Sequence, residues 1–139
     1  SSERSNVTCK MDLMVNMSRK HIVFNRTLYF KEKRQILLLV GQFDPYTLDV
    51  MYVGGLGGPQ DHWEKLLYLS PSYQCAIFMV QYTMGDVKWE ELRVRNSSIT
   101  KGPSHDCMTR LKQFAPTASL RFTNGCLNDF WPATVSSLL

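Results

Sequence analysis

From Cys9 to Arg95 the chain alternates stretches rich in β-branched and aromatic residues with turn residues at roughly eight- to twelve-residue intervals, the rhythm of a β-sandwich or barrel. The pattern predicts strands over 7–17, 20–30, 34–43, 47–53, 62–69, 74–83 and 88–95. Lys31-Glu32-Lys33, Asp44-Pro45, the glycine-rich Gly54 to Pro59, Ser70-Pro71-Ser72 and Met84-Gly85-Asp86 punctuate them, because Gly, Pro, Asp and Ser favour turn geometries. Loops this short suit up-and-down hairpins, so the expected architecture is an all-β antiparallel meander closing into a barrel. The longest apolar run, Ile36 to Val40, suits one buried strand. It falls far short of the roughly 20 apolar residues that span a bilayer as a helix, so no membrane span is expected.

Past residue 100 the period changes. Over 103–114 the apolar residues Cys107, Met108, Leu111 and Phe114 share one face of a helix that opens at Pro103-Ser104 and stops at Pro116. A short last strand is expected from Ser119 to Thr123, leading into Cys126, with 127–139 left as an unassigned tail. Repeats and linkers are absent, so residues 1–139 read as one domain of ordinary size.

Composition narrows the class. A hydrophobic fraction of 44% supplies a core, and the net charge of +4 is spread along the chain. The densest basic run, Lys31, Lys33 and Arg34, is interrupted by Glu32. Nucleic-acid binders concentrate such charge on one face, so no nucleic-acid partner is expected. Four sequons begin at Asn6, Asn16, Asn25 and Asn96, and the four cysteines are Cys9, Cys75, Cys107 and Cys126. Widely spaced cysteines without a Cys-x-x-Cys pair fit disulfides better than zinc, the alternative being reduced, buried thiols. Together these features predict a secreted, N-glycosylated protein. The opening residues carry no signal-peptide pattern, as expected of a mature or trimmed form.

The sequons also orient strands, since a glycosylated Asn faces water and side chains alternate across a strand. Asn16 outward places Leu13, Val15 and Met17 inward. Asn25 outward places Ile22, Phe24, Arg26, Leu28 and Phe30 inward. Asn96 outward places Trp89, Glu91, Arg93 and Arg95 inward, with Leu92 and Val94 outward beneath the helix. These assignments take each strand to be free of bulges. An interior mixing apolar walls with charges suggests a lined cavity, because a solid core excludes unpaired charge.

The stretches Tyr73 to Val80 and Trp89-Glu90-Glu91-Leu92-Arg93-Val94-Arg95, followed by Cys107 heading a short helix, resemble the tick salivary lipocalins. Those proteins carry an aromatic-Glu-Leu-x-Val strand between two cysteines, then a helix and a closing cysteine. The resemblance covers about Val7 to Cys126 and implies a lipocalin-like barrel with one C-terminal α-helix and two disulfides, Cys9–Cys126 and Cys75–Cys107. It departs from the family at the start, where nothing before Cys9 supplies the usual N-terminal helix and Trp-bearing first strand.

The resemblance implies secretion into saliva, capture of a small host mediator or lipid, and modulation of host inflammation or immunity. Amine-binding members use buried carboxylates. Here Glu91 is kept, while Leu66 and Ala76 stand where such members carry Asp. The expected ligand is therefore a sterol, fatty acid or eicosanoid rather than histamine or serotonin. Ile22, Phe24, Leu28, Leu66, Tyr68, Phe78, Val80 and Trp89 would line the pocket, and Arg26 or Arg93 would hold an acidic head group. The same apolar residues also suit a packed core without a cavity.

Catalysis finds little support. A Gly-x-Ser-x-Gly elbow is absent. His105-Asp106-Cys107 are adjacent in a predicted helix and so point apart. Gly54 to Gly58 lacks the Lys-Ser/Thr end of a phosphate loop, and His21, His62 and His105 lack metal-ligand spacing. The expectation is a non-enzyme without metal or cofactor. A protein-binding module that engages a host immune protein or receptor through loops such as Gly54 to Gln60 is the other class open to it.

Overall fold

The computed structural model describes residues 7–30, 33–95 and 104–116. Seven antiparallel strands follow one another in a single meander: β1 (Val7–Met17), β2 (His21–Phe30), β3 (Lys33–Phe43), β4 (Val50–Gly55), β5 (Gln60–Leu69), β6 (Cys75–Tyr82) and β7 (Lys88–Val94). The sheet curls into a half-barrel, and one helix, α1 (His105–Phe114), packs against β6 and β7. Among the described residues no ladder joins β1 to β7, and no helix is long and apolar enough to cross a membrane.

Most strand boundaries match the hydrophobic pattern. β4 differs because Asp44 organises a turn ahead of it. The Asp44 Oδ1 accepts the backbone N–H groups of Tyr46 and Thr47, each at 2.8 Å, and Oδ2 accepts the Tyr52 hydroxyl at 2.8 Å. Residues 44–49 therefore stay out of the ladder, and β4 runs on to Gly55. The next turn needs its glycines. A Cβ on Gly54 would lie 2.2 Å from the Pro59 carbonyl oxygen, and Gly57 has a φ of +75°, a conformation that suits a residue without Cβ.

Of the four register shifts in the described sheet, two reset the face of a residue placed by the sequence pattern. One lies between Met14 and Asn16, the other between Leu66 and Tyr68. A bulge adds an unpaired residue and so shifts the alternation by one. Asn16 and Leu13 consequently share the outer face, opposite Val23 and Asn25. The inward placement expected for Leu13 is thus corrected: Lys10 and Asp12 turn in instead. The second bulge corrects Tyr68, which turns outward, where its hydroxyl donates to Asp106 of α1 and Arg110 lies over its ring.

Inside the curl, Ile22, Phe24, Leu39 and Val53 form the apolar core, with Phe43 and Met51 packed against it. Outside, α1 starts where the Ser104 side chain accepts the Cys107 N–H, a standard N-cap. Its buried residues are Cys107 and Leu111, whereas Phe114 stays 40% exposed. The Cys75–Cys107 disulfide fixes the helix to β6, and Val94, paired with Cys75, lies beside that anchor. The side chain of Cys9, together with Cys126, the sequons at Asn6 and Asn96, the 119–123 strand and the 127–139 tail, lies outside the described residues.

Since the bridge closes a segment of 32 residues, replacing both Cys75 and Cys107 by Ala is expected to cost about 2–4 kcal/mol. Denaturant unfolding measures that loss. Limited proteolysis of the same variant should cut within 104–116 before it cuts the sheet.

Candidate functional site

The interior of the half-barrel is crossed by a continuous chain of ion pairs. Alternation along β1 turns Lys10 and Asp12 inward, and the β1–β2 register sets Asp12 directly opposite Arg26. Arg26 Nε and Nη2 donate to the two Asp12 carboxylate oxygens at 2.8 and 2.9 Å. From β5, Glu64 Oε2 stands 3.0 Å from Arg26 Nη1, and its Oε1 stands 2.6 Å from Arg93 Nη1 of β7. Arg93 Nη2 then reaches Glu91 Oε2 at 2.9 Å, and Glu91 meets Lys10 Nζ at 2.8 Å, which returns the circuit to β1. A longer contact of 4.0 Å between Arg93 and Asp12 closes a ring through Arg26 and Glu64, from which Glu91 and Lys10 extend.

Three cations face three carboxylates, so the ring is neutral. Neutrality is what makes it tolerable. Burying an unpaired ion costs several kcal/mol, and partners offset that cost only when the geometry is good. Asp12, Arg26 and Glu64 are 8%, 4% and 1% exposed. Lys10 and Glu91, with side chains 21% and 19% exposed, are the ring's accessible end.

Titration follows from this geometry. Burial opposes ionisation of Asp12, yet the Arg26 guanidinium beside it holds its carboxyl below the usual range. Burial likewise opposes Glu64 and Glu91. Arg93 and Arg26 hold Glu64 well below the ordinary carboxylate value, and Lys10 and Arg93 do the same for Glu91. Lys10 goes the other way, its ammonium held below the ordinary lysine value by burial and by Arg26.

Aromatic and polar neighbours fix the orientations. Arg93 lies over the Phe78 ring at 4.2 Å and Arg26 over Phe24 at 5.1 Å, distances typical of cation–π contacts. Trp89 Nε1 donates to Glu91 Oε1 at 2.8 Å. His62 sits beside the ring, with Nε2 2.9 Å from Glu64 Oε2 and 3.4 Å from Arg26 Nη1, and Nδ1 2.5 Å from Asp61.

Of the residues expected to line a pocket, Arg26, Glu91, Arg93 and Trp89 meet in this ring. Ile22 and Phe24 are spent in the apolar core, and Val80 is buried opposite Glu64 and Trp89. Leu28, Leu66 and Phe78 are only partly buried. The sequence reading missed Lys10, Asp12, His62 and Glu64. The alternation of Lys10 and Asp12 with Met11 and Leu13 was the available signal for two of them. Glu91 is therefore not the lone interior acid; Asp12 and Glu64 join it. Among the described residues, no group of three or more His, Cys, Asp or Glu is disposed to hold a metal ion.

No family model matches this chain, and no curated protein matches it at a significant level.

Replacing Glu64 by Gln leaves Arg26 and Arg93 with one carboxylate each of their shared partners removed, and is expected to cost about 3–5 kcal/mol in an unfolding titration. The three depressed carboxyls also set an acid limit. Their folded pKa values lie below their unfolded ones, so the stability they contribute is complete above the unfolded values near 4. It is lost as pH falls through the folded values. Melting temperatures measured from pH 7 to pH 2 should hold steady down to about pH 5 and then decline.

Proposed function

We propose that this protein is a secreted, lipocalin-like carrier that sequesters a small amphipathic lipid, a fatty acid or eicosanoid above the other members of the expected class, and so lowers the supply of a host inflammatory mediator. The resemblance to the tick salivary lipocalins supplies the biological setting. The accessible end of the ion ring supports the ligand's chemistry. There the partly exposed Lys10 ammonium has Glu91 as its ion-pair partner, while Arg93 is shared between Glu91 and Glu64. An acidic head group can pair with that ammonium, while an amine cannot.

The apolar body of such a ligand would lie against Leu28, Leu66 and Phe78, the partly buried members of the apolar set. Its carboxylate would compete with Glu91 for Lys10 and Arg93. Exchange of one carboxylate for another preserves the hydrogen bonds of both cations, and the displaced Glu91, at the accessible end of the ring, keeps the Trp89 indole donor and gains water. Such a role asks for reversible capture and for no bond to be made or broken.

Calorimetry on the secreted, delipidated protein tests this reading. A long-chain polyunsaturated fatty acid should bind at least tenfold more tightly than its methyl ester, and Lys10→Met should erase most of that preference, a loss of about 1.4 kcal/mol or more. Equal affinity for acid and ester would remove the head-group assignment. Uptake of histamine or serotonin without uptake of the acid would transfer the site to an amine. Uptake of none of these would end the carrier reading in favour of a protein partner.

A further inference from the structure

The convex face of β1–β3 is unusually apolar for a surface that α1 leaves uncovered. The registers lay it out as three rows across the strands: Met11–Thr27–Ile36, Leu13–Asn25–Leu38 and Asn16–Val23–Val40. Six of these nine residues are aliphatic or Met. Ile36 and Leu38 are 58% and 41% exposed, Leu13, Val23 and Val40 are only partly buried, and Met11 at the edge of the rows is buried. A contiguous apolar patch of this kind promotes association unless something covers it. The helix packs on β6 and β7, at the other end of the meander.

The polar members of the patch are the ones that matter. Asn25 and Thr27 are the acceptor and hydroxyl residues of one sequon, and Asn16 opens another. Asn25 occupies the centre of the lattice, with Leu13 directly opposite on one side and Leu38 on the other. Arg26, the middle residue of the same sequon, turns inward to the ion ring. Strand alternation thus carries the two sequon side chains outward together while committing the third to the interior.

We propose that Asn25 bears an N-linked oligosaccharide whose first sugars lie over Leu13, Leu38 and Ile36 and keep this face from self-association. The occupant is argued from its attachment point, since the acceptor nitrogen stands in the middle of the apolar rows. A pyranose ring also offers C–H faces to aliphatic side chains and hydroxyls to water. In the transfer step Asn25 Nδ2 attacks the anomeric carbon of a polyprenyl-diphosphate oligosaccharide. The new bond is C–N, the bond to the diphosphate oxygen breaks with its electron pair, and one amide proton is released. Thr27 supplies the hydroxyl that the transferase requires. The inference shares the secretion premise of the carrier reading but needs no ligand, so failure of lipid uptake leaves it standing.

The test is expression behind a secretory leader in eukaryotic cells, with glycopeptide mass spectrometry at Asn25 and light scattering on the eluted protein. Asn25 should be occupied and the protein monomeric. Asn25→Gln and Thr27→Ala, which break the sequon at different atoms, should both self-associate, while Thr27→Ser should remain glycosylated and monomeric. Adding Ile36→Lys and Leu38→Lys to the Asn25→Gln variant should restore the monomer. Enzymatic removal of the glycan from the folded protein gives the same readout without a variant, should either substitution impair folding. An unmodified Asn25, or deglycosylated protein as monomeric as the parent, would overturn the proposal.

Discussion

Charge inside a small barrel has to be paid back locally, and the ion ring is where this protein does it. Asp12, Arg26, Glu64, Arg93 and Glu91 each meet two partners of opposite sign, and Lys10 meets Glu91 at the accessible end. Removing one strips its neighbours of a partner and restores part of their desolvation cost. The remaining interior is arranged around that demand. The apolar cluster of Ile22, Phe24, Leu39 and Val53 packs beside the ring, and Phe24 and Phe78 lay their faces against the two guanidinium groups.

The ring also has a mechanical role. A meander leaves its first and last strands without a shared ladder, and among the described residues β1 and β7 have none. Lys10 and Glu91 connect them by side chains instead, with Arg93 and Asp12 in longer-range support. The junction that holds the half-barrel together is thus polar and partly exposed, and it is where the proposed carrier would admit a head group. Under the proposed carrier reading, binding and closure draw on the same charges, so an incoming carboxylate competes with the Lys10–Glu91 link.

Much of the fold was legible in the sequence because it rests on local rules. Alternating apolar residues and Gly/Pro/Asp turns gave the seven strands, and the Ser104 cap with apolar spacing gave the helix. The Cys75–Cys107 bridge came instead from the family resemblance. The site was only half legible, and the reason is the bulges. A single inserted residue between Met14 and Asn16 reverses the face of everything before it, so the outward Asn16 pointed to Leu13 where Lys10 and Asp12 belong. The bulge after Leu66 did the same to Tyr68. Arg26, Glu91 and Arg93 were found because strands β2 and β7 keep their alternation. Glu64 and His62 sit in a strand without a sequon to orient it, and their pairing with Arg26 of β2 and Arg93 of β7 depends on curvature that no local pattern encodes.

Hydrogen exchange on a Lys10→Met, Glu91→Met double variant tests the ring most directly, since it removes the link between β1 and β7 as a pair and leaves Arg93 with Glu64. The account predicts faster amide exchange in β1 and β7, with β3 to β5 unchanged. Exchange in β1 and β7 that matches the parent protein would contradict the claim that these charges hold the two ends of the sheet together.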